Sequence, residues 1–252
     1  MKRLYFSICL AQVLTASVVC AQTTWVPDIP KATKVFEREV GKPLPPSRIE
    51  ATAYRDFYVL RVDDPTVAPG FFDMSFSNVF NLIGAKGWAS LTPEGARPGA
   101  IEKRWVGFVK DIPTDKFLKI ERGTPPVFVV YSSPDCPYCK AMELALEKEE
   151  ISYYVAPAGL SEKGFADSKA AYCSNSPAKA WAGLFHGVRP SSIRQNCDYP
   201  RVAIVDFGVF FNPGPNPVSP TIIFADGVRF KWNASEMLPE IKKRLKAGIV
   251  FK

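Results

Sequence analysis

The stretch VFVVYSSPDCPYCKAM, residues 127–142, constrains the fold of this chain more than any other. Val127 to Tyr131 is a continuous β-branched and aromatic run, the pattern of a strand covered on both faces. From Pro137 the residues are helix formers, with Met142, Leu144 and Leu146 as apolar positions. A buried strand feeding directly into a helix requires helices layered on a sheet. Cys136 and Cys139 stand at the turn between the two elements.

The residues that follow extend this pattern. ISYYVAP (151–157) reads as a second strand, and SKAAYCSNSPAKAWAGLFHG (168–187) carries helix signals, with Ser176 as a cap and Pro177 in the first turn. TIIFAD and VRFKW are joined through Asp226-Gly227, a hairpin signal, and SEMLPEIKKRLKAG (235–248) is a basic terminal helix. Strand, helix, strand, helix, hairpin and helix is the order of a thioredoxin-like α/β layer fold, expected over residues 125–252.

Upstream the composition shifts. Pro and Gly breakers recur in KPLPPS, DDPTVAPG and TPEGARPGA. In ATAYRDFYVLRV (51–62), Tyr54, Tyr58, Leu60 and Val62 alternate with Arg55 and Arg61. A small, strand-rich α+β N-terminal domain is expected over 22–105, with a helix around FSNVFNLIGAKGW (76–88). TDKFLKIERG (114–123), a short amphipathic piece capped by Thr114 or Asp115, is expected as the connector within a linker over 106–124. No repeat and no low-complexity segment is present.

The first residues set the compartment. Lys2 and Arg3, an apolar core from Leu4 to Val19 and small residues up to Ala21 form a secretory signal peptide (1–21), with cleavage after about Ala21. An uncleaved anchor is the alternative, although Ser7, Gln12 and Ser17 interrupt a run already short for a membrane span. Lipid attachment at Cys20 is disfavoured by the preceding SVV. The mature chain is therefore expected in the periplasm. Lys2 and Arg3 supply two of the +7 net charge, and the remainder is dispersed except for KKRLK near the end. That cluster reads as a solvated helix face, so no nucleic-acid partner is expected.

Cleavage removes Cys9 and Cys20 and leaves Cys136, Cys139, Cys173 and Cys197, an even number in an exported chain. A cysteine at the first turn of a helix has its sulfur beside unpaired backbone N–H groups and the positive end of the helix dipole. Thiolate is favoured there, and a second cysteine one turn later can resolve what the first attacks. Zinc would want a second tight ligand pair, whereas Cys173 and Cys197 are far apart with the sole histidine, His186, between them. A purely structural Cys136–Cys139 bridge would close too short a loop to add much stability. Redox chemistry is the preferred reading, with no metal and no cofactor. For Cys173 and Cys197 a structural disulfide is preferred over free or redox-active thiols. His186 could serve as a base for a cysteine, but reads more simply as a surface histidine. Ser219-Pro220 precedes a strand; strand-entry punctuation is one reading, and a cis proline facing the cysteines is the one a thioredoxin-like domain implies.

From about Pro126 onward the chain resembles the periplasmic disulfide isomerases of the DsbC/DsbG type. The resemblance is carried by VFVVYSSPDCPYC, by the pair in AAYCSNSPAKAW and NCD, and by VSPTIIFADG. It implies Cys136 and Cys139 as catalytic residues and a substrate groove formed by Pro137, Tyr138, Ser219 and Pro220. It also implies an N-terminal dimerisation domain with a linker helix, a homodimer, wrongly disulfide-bonded exported proteins as substrates and a membrane-bound electron donor of the DsbD type. Two departures stand out: Ser219 replaces the threonine common before the proline, and GFFDMSFSNVFNLIGAKGWASLTPEGARPGA does not follow the family pattern closely. The expected activity is disulfide isomerisation or reduction. A dithiol oxidase, a chaperone or assembly factor, and a reductase dedicated to one partner of a secretion or conjugation apparatus are the alternatives.

Overall fold

The computed structural model describes residues 25–41, 43, 47–63, 69–75, 79–80, 106–212 and 218–252. The expected signal peptide and most of the helix expected over 76–88 lie outside them. Val79–Phe80, the part of that stretch that is described as regular structure, forms a strand.

Helix α1 (Ile29–Val40) opens the described chain. Asp28 caps it by accepting from Lys31 N at 3.0 Å, Pro30 fills its first turn, and Gly41 closes it at φ 70°. Four antiparallel strands follow in the order β1 (Ser47–Ala51), β2 (Phe57–Val62), β3 (Gly70–Asp73) and β4 (Val79–Phe80). Ala32 and Phe36 of α1 pack on Ile49, Tyr58, Leu60 and Phe72 from one face of this sheet. Phe57, Val59 and Phe71 leave the opposite face and are equally buried. Strand β2 is thus covered on both sides, and Arg61, on the face opposite Tyr58 and Leu60, pairs with Asp206 at 2.7 Å.

The second sheet runs β5 (Leu118–Ile120), β7 (Tyr153–Pro157), β6 (Phe128–Ser132), β8 (Thr221–Phe224), β9 (Arg229–Lys231). First, third, second, fourth, fifth, with β6 and β7 parallel and the other pairs antiparallel, is the thioredoxin-like arrangement. TDKFLKIERG contributes a 3-10 turn over Thr114–Lys116 and then edge strand β5, because Leu118 and Ile120 alternate inward onto the sheet.

Among the described residues this unit also holds the helices α2 (Pro137–Glu147), α3 (Glu162–Tyr172), α4 (Pro177–Phe185), α5 (Arg201–Phe210) and α6 (Ala234–Lys246). Phe128 and Val130 point to the side of α2, α4 and α6, where Met142, Trp181 and Ile241 are buried. Val129 and Tyr131 point to the other side, against Phe207 of α5. On its far side α5 receives the first sheet: Phe210 stacks on Tyr54 with centroids 3.8 Å apart and meets Phe57 and Phe71 edge-on. The run 127–131 is therefore buried twice over, as its composition demands.

Cys173, at the end of α3, is bonded to Cys197 (S–S 2.06 Å) and fixes the chain that leads into α5. For a closed loop of this size, replacing both by Ala should lower unfolding free energy by about 3 kcal/mol. Urea denaturation of the double variant measures it. No helix among the described residues is long and apolar enough to cross a membrane.

Candidate active site

The chain after β6 turns through Ser133 and Asp135 and enters α2 at Cys136, which occupies the N-cap position in an extended conformation (φ −101°, ψ 120°) with Pro137 in the first turn. Cys139 follows one turn on. It begins a buried stripe continued by Met142, Glu143 and Leu146, the spacing of one helix face. Cys136 is 3% exposed and Cys139 is fully covered. Both are free thiols.

Ser219 brings the distant segment to the pair. The Cys136 thiol donates to the Ser219 carbonyl at 3.3 Å, and the Cys139 sulfur lies 2.9 Å from the Ser219 hydroxyl. That hydroxyl also reaches the Tyr131 carbonyl at 3.3 Å, tying the loop to β6. The Ser219–Pro220 peptide bond is cis. Ser133 N donates to the Cys139 sulfur at 3.4 Å, and Cys136 N donates to the Ser133 carbonyl at 3.2 Å. The structure thus gathers Cys136, Cys139, Ser219 and Pro220 at one place, with Pro137 and the 69% exposed Tyr138 at its rim.

The two sulfurs are electrostatically unequal. A hydrogen bond from the Cys139 thiol, assisted by the backbone N–H groups of Cys139 and Tyr138 and opposed by burial, lowers the Cys136 pKa to about 6. Burial, followed by the neighbouring Cys136 sulfur, pushes the Cys139 thiol far above its ordinary value. One cysteine is held as a nucleophile and the other as its proton-bearing neighbour. This is an arrangement for thiol–disulfide exchange.

His186 stands elsewhere. It bonds Glu147 at 3.0 Å, at the opposite end of α2 from Cys136, roughly 16 Å away at the rise of a helix. The disulfide Cys173–Cys197 is likewise apart from the reactive pair in the hydrogen-bond network. Among the described residues no cluster of three or more His, Cys, Asp or Glu side chains is placed to hold a metal ion.

Two polar residues near the site were not singled out from the sequence. Glu143 is buried beneath α2, where its carboxylate accepts from Trp181 Nε1 at 3.0 Å and from the Tyr153 hydroxyl. Burial raises its pKa against those bonds. Its position four residues after Cys139, on the same face, was the available signal. The second is Asp135, immediately before Cys136.

No family model and no curated protein matches the chain. Among solved structures, a disulfide interchange protein from Neisseria gonorrhoeae is similar at 27% identity, over 53% of this chain and 97% of that one, with a TM-score of 0.45. A linker-deletion variant of Proteus mirabilis ScsC is similar at 14% identity over 59% and 84%, TM-score 0.42. Helicobacter pylori DsbG is similar at 11% identity over 88% and 97%, TM-score 0.25. At these scores the thioredoxin-like assignment comes from strand order, not from the likenesses.

Proposed function

We propose that this chain is an exported thiol–disulfide oxidoreductase that rearranges or reduces wrong disulfides in periplasmic proteins. The observation that carries the reading is the inequality of the pair: Cys136 with a pKa of about 6 beside a Cys139 thiol held protonated. Cys136 attacks a substrate disulfide, forming a mixed disulfide and expelling one substrate thiolate. That thiolate, or another, then attacks the Cys136–substrate bond to leave a rearranged disulfide. Alternatively Cys139 attacks Cys136, which releases reduced substrate and an oxidised pair. Two clefts, of about 520 Å³ and 490 Å³, are lined by neither cysteine. The nearly covered reactive sulfur is instead flanked along the chain by exposed Tyr138, two residues on, and by exposed Val218, next to its partner Ser219, a surface that suits an extended polypeptide better than a small molecule.

Continued isomerisation in an oxidising compartment needs a donor that keeps the pair reduced, and a membrane-bound dithiol donor of the DsbD type fits that need. A homodimer is part of the same reading. Since α1 and α5 cover the two faces of the β1–β4 sheet, its subunits would meet along an edge.

The low Cys136 pKa also favours a second reading. A stabilised thiolate is a good leaving group, which makes the Cys136–Cys139 disulfide an oxidant of other dithiols. Recovery of activity from a scrambled-disulfide test protein separates the two. The pre-reduced mature chain should restore activity in a Cys136-dependent manner. Absence of recovery, with rapid oxidation of a reduced substrate by the disulfide form, would establish the oxidase instead.

A further inference from the structure

We propose that Asp135 is a positioning residue of this site: its carboxylate latches the loop carrying Cys136 onto the N-terminus of α3. The inference deepens the dithiol reading and rests on it. Asp135 Oδ1 accepts from Leu160 N at 3.0 Å, and Oδ2 accepts from Ser161 N at 3.0 Å and from the Ser161 hydroxyl at 2.6 Å. Ser161 is the N-cap of α3 and accepts in turn from Gly164 N at 3.1 Å. The Ser133 hydroxyl joins from the other side, donating to Asp135 and accepting from Leu160 N at 3.1 Å.

Ser133 makes the latch relevant to the sulfurs. Its backbone holds Cys136 N through the carbonyl and Cys139 Sγ through the amide, so the residue that braces Asp135 also braces both cysteines. A second, independent feature belongs to the same contact. Gly164, in the first turn of α3, faces the Asp135 carboxylate so closely that a Cβ there would overlap it. The helix is left without a side chain where the carboxylate docks.

The latch and the charge of Asp135 pull the thiolate in opposite directions. A carboxylate beside Cys136 disfavours a second negative charge, but it is exposed to solvent and its field is screened. Bonds from Ser133, Ser161 and Leu160 outweigh its burial and keep it ionised, below the ordinary Asp value. Loss of the latch loosens the turn that presents Cys136 to the amides of Tyr138 and Cys139.

The rate of Cys136 alkylation against pH, in the reduced chain, decides between them. Asp135→Asn replaces an accepting oxygen with a donor facing N–H groups, and Gly164→Ala displaces the carboxylate while keeping its charge. Both should slow alkylation near pH 6 by roughly three- to tenfold, as the thiolate fraction falls. Faster alkylation in Asp135→Asn would show that only the charge mattered, and unchanged rates in both variants would show that the latch positions nothing; either overturns the proposal. If Gly164→Ala fails to melt cooperatively, Ser161→Ala removes one bond to the same carboxylate and is read in the same way. Alkylation requires no protein substrate, so failure of the isomerase reading leaves this test intact.

Discussion

Cys136→Ala should abolish turnover of a scrambled-disulfide substrate, a loss on the order of a thousandfold or more, because no other free sulfur among the described residues can attack. Cys139 does not compensate. It is fully covered and its thiol is held protonated by burial. Cys139→Ala should have the opposite character: attack proceeds, but the resolving thiol is gone and mixed disulfides accumulate. The same change removes the hydrogen bond that contributes most to the low Cys136 pKa, so that pKa should rise from about 6 toward the ordinary thiol value. Non-reducing electrophoresis with mass spectrometry of trapped partners checks the first effect, and alkylation against pH checks the second. A Cys139→Ala chain that captures no substrate would refute the exchange scheme.

The largest effect on stability should come from Phe210→Ala. Phe210 stacks on Tyr54 at 3.8 Å and meets Phe57, Phe71, Phe108 and Phe211 edge-on at 5.2–5.7 Å. Truncating an aromatic side chain at such a centre removes its buried area and leaves a void, typically costing about 3–5 kcal/mol. That is comparable with the whole stability of many domains. The midpoint of urea unfolding should fall accordingly. Proteolysis should then cut first near α1 and the β1–β4 sheet, since their fastening to the catalytic unit is what the substitution removes. An unchanged midpoint would mean that the aromatic cluster is not a principal contributor to stability.

The catalytic unit was largely legible because its signals are local. A continuous apolar run, two cysteines at its end, Asp226-Gly227 between short strands and Ser176-Pro177 before a helix each report their own structure. Gly227 indeed adopts φ 81° in the hairpin, and α4 begins at Pro177. Helix α5 was illegible for the opposite reason. RVAIVDFGVF has the β-branched and aromatic content of a strand. Ile204 and Phe207 are buried toward one sheet and Phe210 toward another, so apolar positions occupy two sides of the helix and no single apolar stripe marks it; its first turn, at Arg201 and Val202, is exposed. Its buried charged residue, Asp206, becomes intelligible only with Arg61, which lies far away in sequence. At the site, the cysteines and Pro220 could be found by type and spacing. Asp135 and Gly164 could not, since their meeting depends on how α2 and α3 are set side by side.

The aromatic seam along α5 also determines how substrate and sulfur can meet. Val109, Ile112 and Phe117, from the segment joining the two units, are buried in the same cluster as Tyr54 and Phe210. The described part of the connection, from residue 106 onward, is therefore packed into the shared cluster, and a swing of one unit against the other would have to break apolar contacts worth several side chains. A reactive arm on a free tether can search for a bond inside a bulky partner; this cysteine is mounted on a block. The searching must be done by the substrate, and chains loose enough to bring a disulfide to a fixed ledge have the advantage over those already folded around it.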